Sequence, residues 1–243
     1  MLRLTIGHLY PDVMNLYGDR GNLIALIQRA RWRGINVNCC PVSVGQSAPL
    51  DQCDLILLGG GEDRAQQVVA QDLLRRKTML EDAVANGAVV LAICGGYQLL
   101  GHSYRALGGE ELPGLGLLDV VTVAGERRLI GNVVVKCNDH GRALVGFENH
   151  AGRTHLGPQA QCLGTVRSGY GNNGEDGTEG AYRGKVFGTY LHGALLPKNP
   201  WFADFLLQEA LARNHQDVEL LPLDDGLEQL AHDVVAQRVL KER

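Results

Sequence analysis

The first hundred residues switch repeatedly between two hydrophobic periods. Leu2 to Leu9 reads as a strand. Gly21 to Arg33 carries Leu23, Leu26, Ile27 and Ala30 at helical spacing, with Gly34 placed to stop the helix. Ile35 to Val42 is a second strand. Asp54-Leu55-Ile56-Leu57-Leu58 is a short apolar strand that runs into Gly59-Gly60-Gly61. Gln66 to Asn86 has the length and spacing of one long helix, ended by Gly87. Ala88 to Ile93 is a further apolar strand; it meets Cys94-Gly95-Gly96, and Tyr97 to Leu100 resumes helical character. Continuous apolar strands alternating with helices predict an α/β fold, a mostly parallel sheet flanked by helices on both faces.

The second half changes style. Leu117 to Val123, Leu129 to Cys137, Ala143 to Phe147, Gln161 to Val166 and Lys185 to Tyr190 read as short strands between Gly-rich turns. They are expected to extend the same sheet with antiparallel strands. Residues 169–177, Gly-Tyr-Gly-Asn-Asn-Gly-Glu-Asp-Gly, have the composition of a flexible loop. Amphipathic helices from Trp201 to Arg213 and from Leu227 to Leu240 close the chain, in a C-terminal region of about 201–243. With no Pro/Ser-rich linker and no repeat, residues 1–243 read as one domain.

Composition narrows the function classes. Hydrophobic residues are 45% and charged residues 21% of the 243, as in a soluble globular protein. The net charge of -4, with no basic block, argues against nucleic acid as the main partner. No apolar run approaches the roughly 18 residues of a transmembrane helix. The N-terminus turns polar too soon for a signal peptide. The six cysteines contain no C-x-x-C pair, so neither a metal site nor a disulfide framework is expected. The expectation is reduced, mostly buried thiols in a cytoplasmic protein.

Cys94 is the exception. An apolar strand ending in Cys-Gly-Gly and passing into a helix follows the logic of the nucleophile elbow, with sulfur in place of oxygen. The tight turn projects Sγ above the carboxyl edge of the sheet, although position 92 is Ala where a stricter elbow has Gly. The helix N-terminus favours the thiolate, and the Gly95 amide points where an oxyanion would form. Gly59-Gly60-Gly61 ends a neighbouring strand, so a second amide, that of Gly60, is the candidate to complete an oxyanion hole. A thiol nucleophile needs a base. Of eight histidines, His192 closes the strand pattern Val186 to Leu191, the same kind of position as Cys94; His150 is the runner-up.

Ala92-Ile93-Cys94-Gly95-Gly96-Tyr97-Gln98, with Tyr190-Leu191-His192-Gly193, resembles the cobyric-acid-synthase-like branch of class I, or triad, glutamine amidotransferases. Three further segments narrow the resemblance to the glutamine-hydrolysing subunits of lipid II isoglutaminyl synthase. They are residues 10–22 with Tyr17-Gly18-Asp19-Arg20-Gly21-Asn22, Gly146-Phe147-Glu148-Asn149-His150, and residues 188–193 followed by Leu196-Pro197-Lys198-Asn199-Pro200. The resemblance spans nearly the whole chain.

It implies that Cys94 attacks the side-chain amide of L-glutamine, that amides near Gly95 and Gly60 hold the oxyanion, and that His192 passes a proton to the leaving ammonia. It implies an arginine at position 128 that contacts substrate, with a bidentate clamp on the α-carboxylate as the physical rationale. It also implies an acceptor, the α-carboxyl of D-glutamate in lipid II, amidated to D-isoglutamine for peptidoglycan synthesis. The chain departs from many relatives in having Gly193 and Ala194 after His192, with no carboxylate two positions on. The third triad member is then Glu148, another distant acid, or a residue of a partner chain. No G-x-x-x-x-G-K-[ST] motif occurs, and there is no room for the fused ATP-binding domain of cobyric acid synthases. No cofactor is therefore expected in this chain. ATP and Mg are expected on a Mur-ligase-like partner subunit in a heterodimer.

The alternatives are a cysteine peptidase or DJ-1-like protein, an amidotransferase serving a cobyrinic acid derivative, or a regulatory subunit without chemistry. The elbow makes a prediction of its own. Limited alkylation by a glutamine-mimicking electrophile, followed by peptide mapping, labels Cys94 first. Preferential labelling of Cys39, Cys53, Cys137 or Cys162 would refute the elbow.

Overall fold

A computed structural model describes residues 2–109, 111–215 and 218–241. Residues 216–217 and 242–243 of the predicted C-terminal region, and residue 1, lie outside the described residues. The first half holds strands β1 (Arg3–Leu9), β2 (Asn36–Val42), β3 (Leu55–Leu58) and β4 (Val89–Ile93) with helices α1 (Arg20–Trp32), α2 (Asp63–Arg75), α3 (Lys77–Ala85) and α4 (Gly95–Leu100). The second half contains β5 (Ser103–Arg105), β6 (Glu111–Pro113), β7 (Val120–Cys137), β8 (Ala143–Leu156), β9 (Gly164–Ser168), β10 (Thr178–Glu179), β11 (Ala181–Arg183) and β12 (Val186–Thr189). Helices α5 (Leu195–Lys198), α6 (Pro200–Leu211) and α7 (Gly226–Lys241) follow.

The main sheet has the order β11-β12-β4-β3-β1-β2. Every pairing from β12 to β2 is parallel, and only β11 is antiparallel. Strands β3 and β4, at the centre, are buried at every position. That is why they read as unbroken apolar runs: both faces are covered by helices. The α/β fold and its helical cover are as expected. The antiparallel extension is smaller than expected. Of the second-half strands, β12 joins the main sheet parallel to β4 and β11 adds an antiparallel edge, while β5 to β10 build a second sheet around the long β7–β8 hairpin. The two sheets share one buried cluster, in which Val133, Val135 and Leu144 meet the core of the first sheet.

Three local departures have physical causes. The helix expected from Gln66 to Asn86 is two helices, α2 starting at Asp63 and α3 at Lys77. They are divided at Arg76, whose backbone (φ -94°, ψ -1°) departs from ideal helical geometry as its N–H closes tighter bonds to the Leu73 and Leu74 carbonyls. The segments expected as two strands, 117–123 and 129–137, are one strand with a register shift between Ala124 and Leu129. Gly125-Glu126-Arg127-Arg128 bulges there, and its polar run hid the continuity. The loop at 169–177 is anchored rather than free: Gly171, Asn172 and Asn173 are buried, and the Glu148 carboxylate accepts from the amides of Tyr170 and Gly171 at 2.6 and 2.8 Å. All six cysteines are free thiols, and Cys39, Cys40 and Cys162 are half-buried rather than buried.

The helices outside the sheet are locked by charge. The Arg29 side chain, 5% exposed, donates to both Asp204 and Asp225 at 2.6–2.7 Å, and Arg33 joins it on Asp204. This ties α1 to α6 and to the start of α7. Asp204 and Asp225 keep 24% and 28% of their side-chain exposure, so the low end of the range for breaking a buried pair applies. Arg29→Met is expected to lower unfolding free energy by about 3 kcal/mol, read as a shifted denaturant midpoint. A change below about 0.5 kcal/mol would assign this cluster the small worth of a surface ion pair.

Candidate active site

The carboxyl ends of β12, β4, β3 and β1 lie side by side, in register through Thr189↔Ile93, Leu58↔Ala92 and Leu9↔Leu58. In an open parallel sheet this edge is where ligands bind. Each of the four strands delivers one element of the site: His192 after β12, Cys94 after β4, the triglycine after β3, and the loop with Asp19 after β1.

Cys94 has φ 49° and ψ -105°. A residue with a Cβ holds such a backbone only where its surroundings impose it. Here its N–H donates to the Thr189 carbonyl at 2.8 Å, and its carbonyl accepts from Gln98 at 3.0 Å. Gly95 and Gly96 are glycines because a Cβ on either would stand within 3 Å of neighbours. At Gly96 these are Leu58 and the Gly59 carbonyl; at Gly95 they are the Gly61 carbonyl and Gln66. At the start of α4 the Gly95 N–H has no carbonyl a turn earlier to bond.

His192 is completely buried. Its backbone is held on both sides by Phe147 of β8, with N–H···O contacts of 2.7 and 3.3 Å. Gly146 leaves room for Leu191, whose side chain would stand 2.6 Å from a Cβ there. The imidazole Nδ1 is 3.3 Å from Asp19 Oδ1. Nε2 has no hydrogen-bond partner, and the ring packs edge-on against Tyr17 at 4.9 Å. Burial opposes charge on this ring, but the Asp19 carboxylate and the neighbouring Cys94 prevail and raise its pKa to about 10.

Asp19 is the carboxylate that faces His192, where positions 193 and 194 offer none. It is 5% exposed, and its second oxygen accepts from the Gly60 N–H at 2.7 Å. Gly60 is therefore corrected as a free oxyanion donor: its amide is spent on Asp19. Its lack of a side chain matters instead. A Cβ there would lie 2.8 Å from His192 Cε1, 3.2 Å from Asp19 Oδ2 and 3.4 Å from Cys94 Cβ, so all three residues close on this one point. The next amide, that of Gly61, has its nitrogen 3.0 Å from where a Gly95 Cβ would be. The Gly60 carbonyl accepts from Leu16 N–H at 3.2 Å, which turns the Gly61 N–H of the same peptide the opposite way.

Glu148 is likewise corrected. Its carboxylate is buried against the 170–171 amides and stands 3.8 Å from His150, not against His192. His150 is stacked on Tyr190 at 3.5 Å, and its Nδ1 faces the Gly152 carbonyl; burial lowers its pKa.

Cys94 opens into a cleft of about 370 Å³, lined by Tyr17, Gly61, Gln66, Gln98, Arg128 and Asn149 among others. The β7 bulge carries Arg128 to its rim. There Nε and one terminal nitrogen are fixed by Asn149 at 2.7 and 2.8 Å, and Asn149 also donates to Tyr17. Glu62 and Asp63 stand on the same cleft, giving it one cationic and one anionic pole. Among the described residues no group of three His, Cys, Asp or Glu could hold a metal ion, and no helix is long and apolar enough to cross a membrane.

Residues 5–200 match the CobB/CobQ-like glutamine amidotransferase domain family. The chain is 42% identical, over all of its length and 99% of the relative, to the lipid II isoglutaminyl synthase (glutamine-hydrolyzing) subunit GatD of Staphylococcus aureus. It is 38% identical to the GatD subunit of Streptococcus pneumoniae, over 93% of this chain and 88% of the relative. A cobyric acid synthase of Limosilactobacillus reuteri is 34% identical over 64% of this chain and 32% of its own length. Among solved structures, the fold is similar to a glutamine amidotransferase (TM-score 0.55, 16% identity, 84% of this chain and 98% of that one). It is also similar to the glutaminase domain of Trypanosoma brucei CTPS with bound acivicin (TM-score 0.57, 10% identity, 90% of this chain and 96% of that one).

The Asp19–His192 contact predicts a pH signature. Because the pKa of His192 is raised on folding, its charged form contributes stability in full below an ordinary value of about 6.5. That contribution is lost as the pH rises through about 10. Asp19→Asn removes one raising partner, so its loss of stability relative to the parent is larger at pH 6 than at pH 10. Denaturant unfolding across that range measures this. An equal loss at both ends would contradict the pairing.

Proposed function

The chain belongs to the CobB/CobQ-like glutamine amidotransferases, and from that membership we propose that it is the glutamine-hydrolysing subunit of a lipid II isoglutaminyl synthase. The observation that carries the chemistry is the meeting of Cys94, His192 and Asp19 around Gly60. The near-full-length similarity to two GatD subunits supports the acceptor, lipid II, over a cobyrinic acid derivative.

Glutamine binds with its α-carboxylate on Arg128 and its carboxamide over Cys94. His192, its pKa raised, supplies the imidazolium that a thiolate needs beside it. The Sγ electron pair forms a bond to the amide carbon, and the carbonyl π electrons move onto oxygen. The amides of Gly61 and Gly95 hold that oxyanion. Collapse breaks the C–N bond as Nε2 of His192 gives its proton to the nitrogen, releasing ammonia and leaving a γ-glutamyl thioester. Neutral His192 then takes a proton from water, hydroxide adds to the thioester, and the C–S bond breaks to give the starting thiolate and a γ-carboxylic acid, which releases its proton to solvent as glutamate. Asp19 acts through His192: it holds the ring so that Nε2 faces the reaction. The ammonia would pass to a Mur-ligase-like partner subunit, which would hold the ATP and Mg needed to activate the α-carboxyl of D-glutamate.

An acid inside the chain changes what is expected of it alone. Purified chain should release ammonia from glutamine without its ligase. Cys94→Ala should abolish this, and His192→Ala should lower it by about 10²–10⁴-fold. Glu148→Gln should cost less than either in folded protein. Activity that appears only with the ligase, and survives Asp19→Asn, would move the third triad member to the partner.

A further inference from the structure

Gln66 has no part in these steps. This residue of α2 is 3% exposed and lines the cleft. Its Nε2 donates to the Gly61 carbonyl at 3.2 Å, and because that oxygen can only accept, the amide's orientation is set. Its Oε1 is buried without any donor. A buried amide oxygen left unpaired is costly, and such an orphan beside a cleft marks a donor that a ligand brings. Gln98, on α4, repeats the pattern: Nε2 is tied to the Tyr190 hydroxyl at 3.1 Å, while Oε1 has no donor.

The position of Gln66 narrows which donor it meets. Its Nε2 and the Gly61 carbonyl both lie 2.9 Å from the point a Gly95 Cβ would occupy, and the Gly61 nitrogen lies 3.0 Å from it. The side chain is therefore packed against the two amides assigned to the oxyanion, at the reacting end of the substrate. A primary amide has an accepting oxygen and a donating nitrogen. The two backbone N–H groups suit the first; a lone acceptor oxygen suits the second.

We propose that Gln66 Oε1 accepts a hydrogen bond from the carboxamide nitrogen of bound glutamine, and so selects a γ-amide over a γ-carboxylate. This rests on reading the cleft as the glutamine site. Glutamate carries an oxygen where the amide nitrogen was, so acceptor meets acceptor and the product is repelled from the place the substrate is held.

The test uses this chain with its ligase subunit and two variants of similar shape, Gln66→Leu and Gln66→Met. Three quantities are read: kcat/KM for glutamine, competitive inhibition by L-glutamate, and the labelling rate of Cys94 by the chloroketone analogue of glutamine. In that analogue a chloromethyl group replaces the amide nitrogen; sulfur displaces chloride, and no N–H is present for Gln66 to hold. Glutamine turnover is expected to fall roughly 10-fold while labelling stays within about 3-fold of the parent. Glutamate is expected to inhibit more strongly relative to the KM for glutamine. Unchanged turnover, or an equal fall in turnover and labelling in both variants, would overturn the role of Gln66. A parent protein that neither hydrolyses glutamine nor is labelled would instead overturn the glutamine site itself.

Discussion

The carboxylate of Asp19 is asked to hold two things at once. One oxygen faces His192 Nδ1, and the other accepts the Gly60 N–H. The first orients the buried imidazole of His192. The second fixes the triglycine that follows β3, and with it the direction of the Gly61 amide. Neither contact survives a side chain at position 60, because its Cβ would fall among Asp19, His192 and Cys94. The parallel sheet brings these three loops to one edge; the aspartate makes them one site.

The loop that carries Asp19 is built for this task. Gly18, at φ +80°, turns the chain, and Gly21 lets α1 approach Ala194, whose Cβ would otherwise meet a side chain at 2.6 Å. Asn22 then accepts from the Leu196 N–H at 2.8 Å, anchoring the segment beyond His192 to the same helix. From the other side, β8 of the second sheet brackets the His192 backbone through Phe147, and its Glu148 gathers the 169–177 loop. Buried Glu179, on the strand after that loop, accepts from Thr189 and the Tyr190 N–H, and burial raises its pKa to about 7. The second sheet thus acts as a brace on one side of the site rather than as a separate body, and its β7 bulge supplies Arg128.

Much of this was legible in the residues. Continuous apolar runs marked β3 and β4 because a strand covered on both faces has no polar side to display. Cys94 and His192 stood out because each ends such a strand. The acid did not, since search near His192 assumes local spacing, whereas Asp19 is brought 173 positions along the chain by the pairing of β1 with β3. Its residues were in view as the Tyr-Gly-Asp-Arg-Gly-Asn segment, but nothing in that pattern says which loop it will touch. The triglycine is ambiguous for the same reason: three consecutive glycines carry no sign of which amide is already spent. The second sheet is hidden because strand periodicity tells which face each side chain takes, not which sheet the strand joins.

The most direct test of the account is the covalent step itself. The chain is mixed with glutamine, quenched in acid on the millisecond-to-second scale, and mapped by mass spectrometry. The account predicts a γ-glutamyl adduct on the peptide bearing Cys94, absent from Cys94→Ser. An adduct on another cysteine, or undiminished ammonia release by Cys94→Ser, would contradict it.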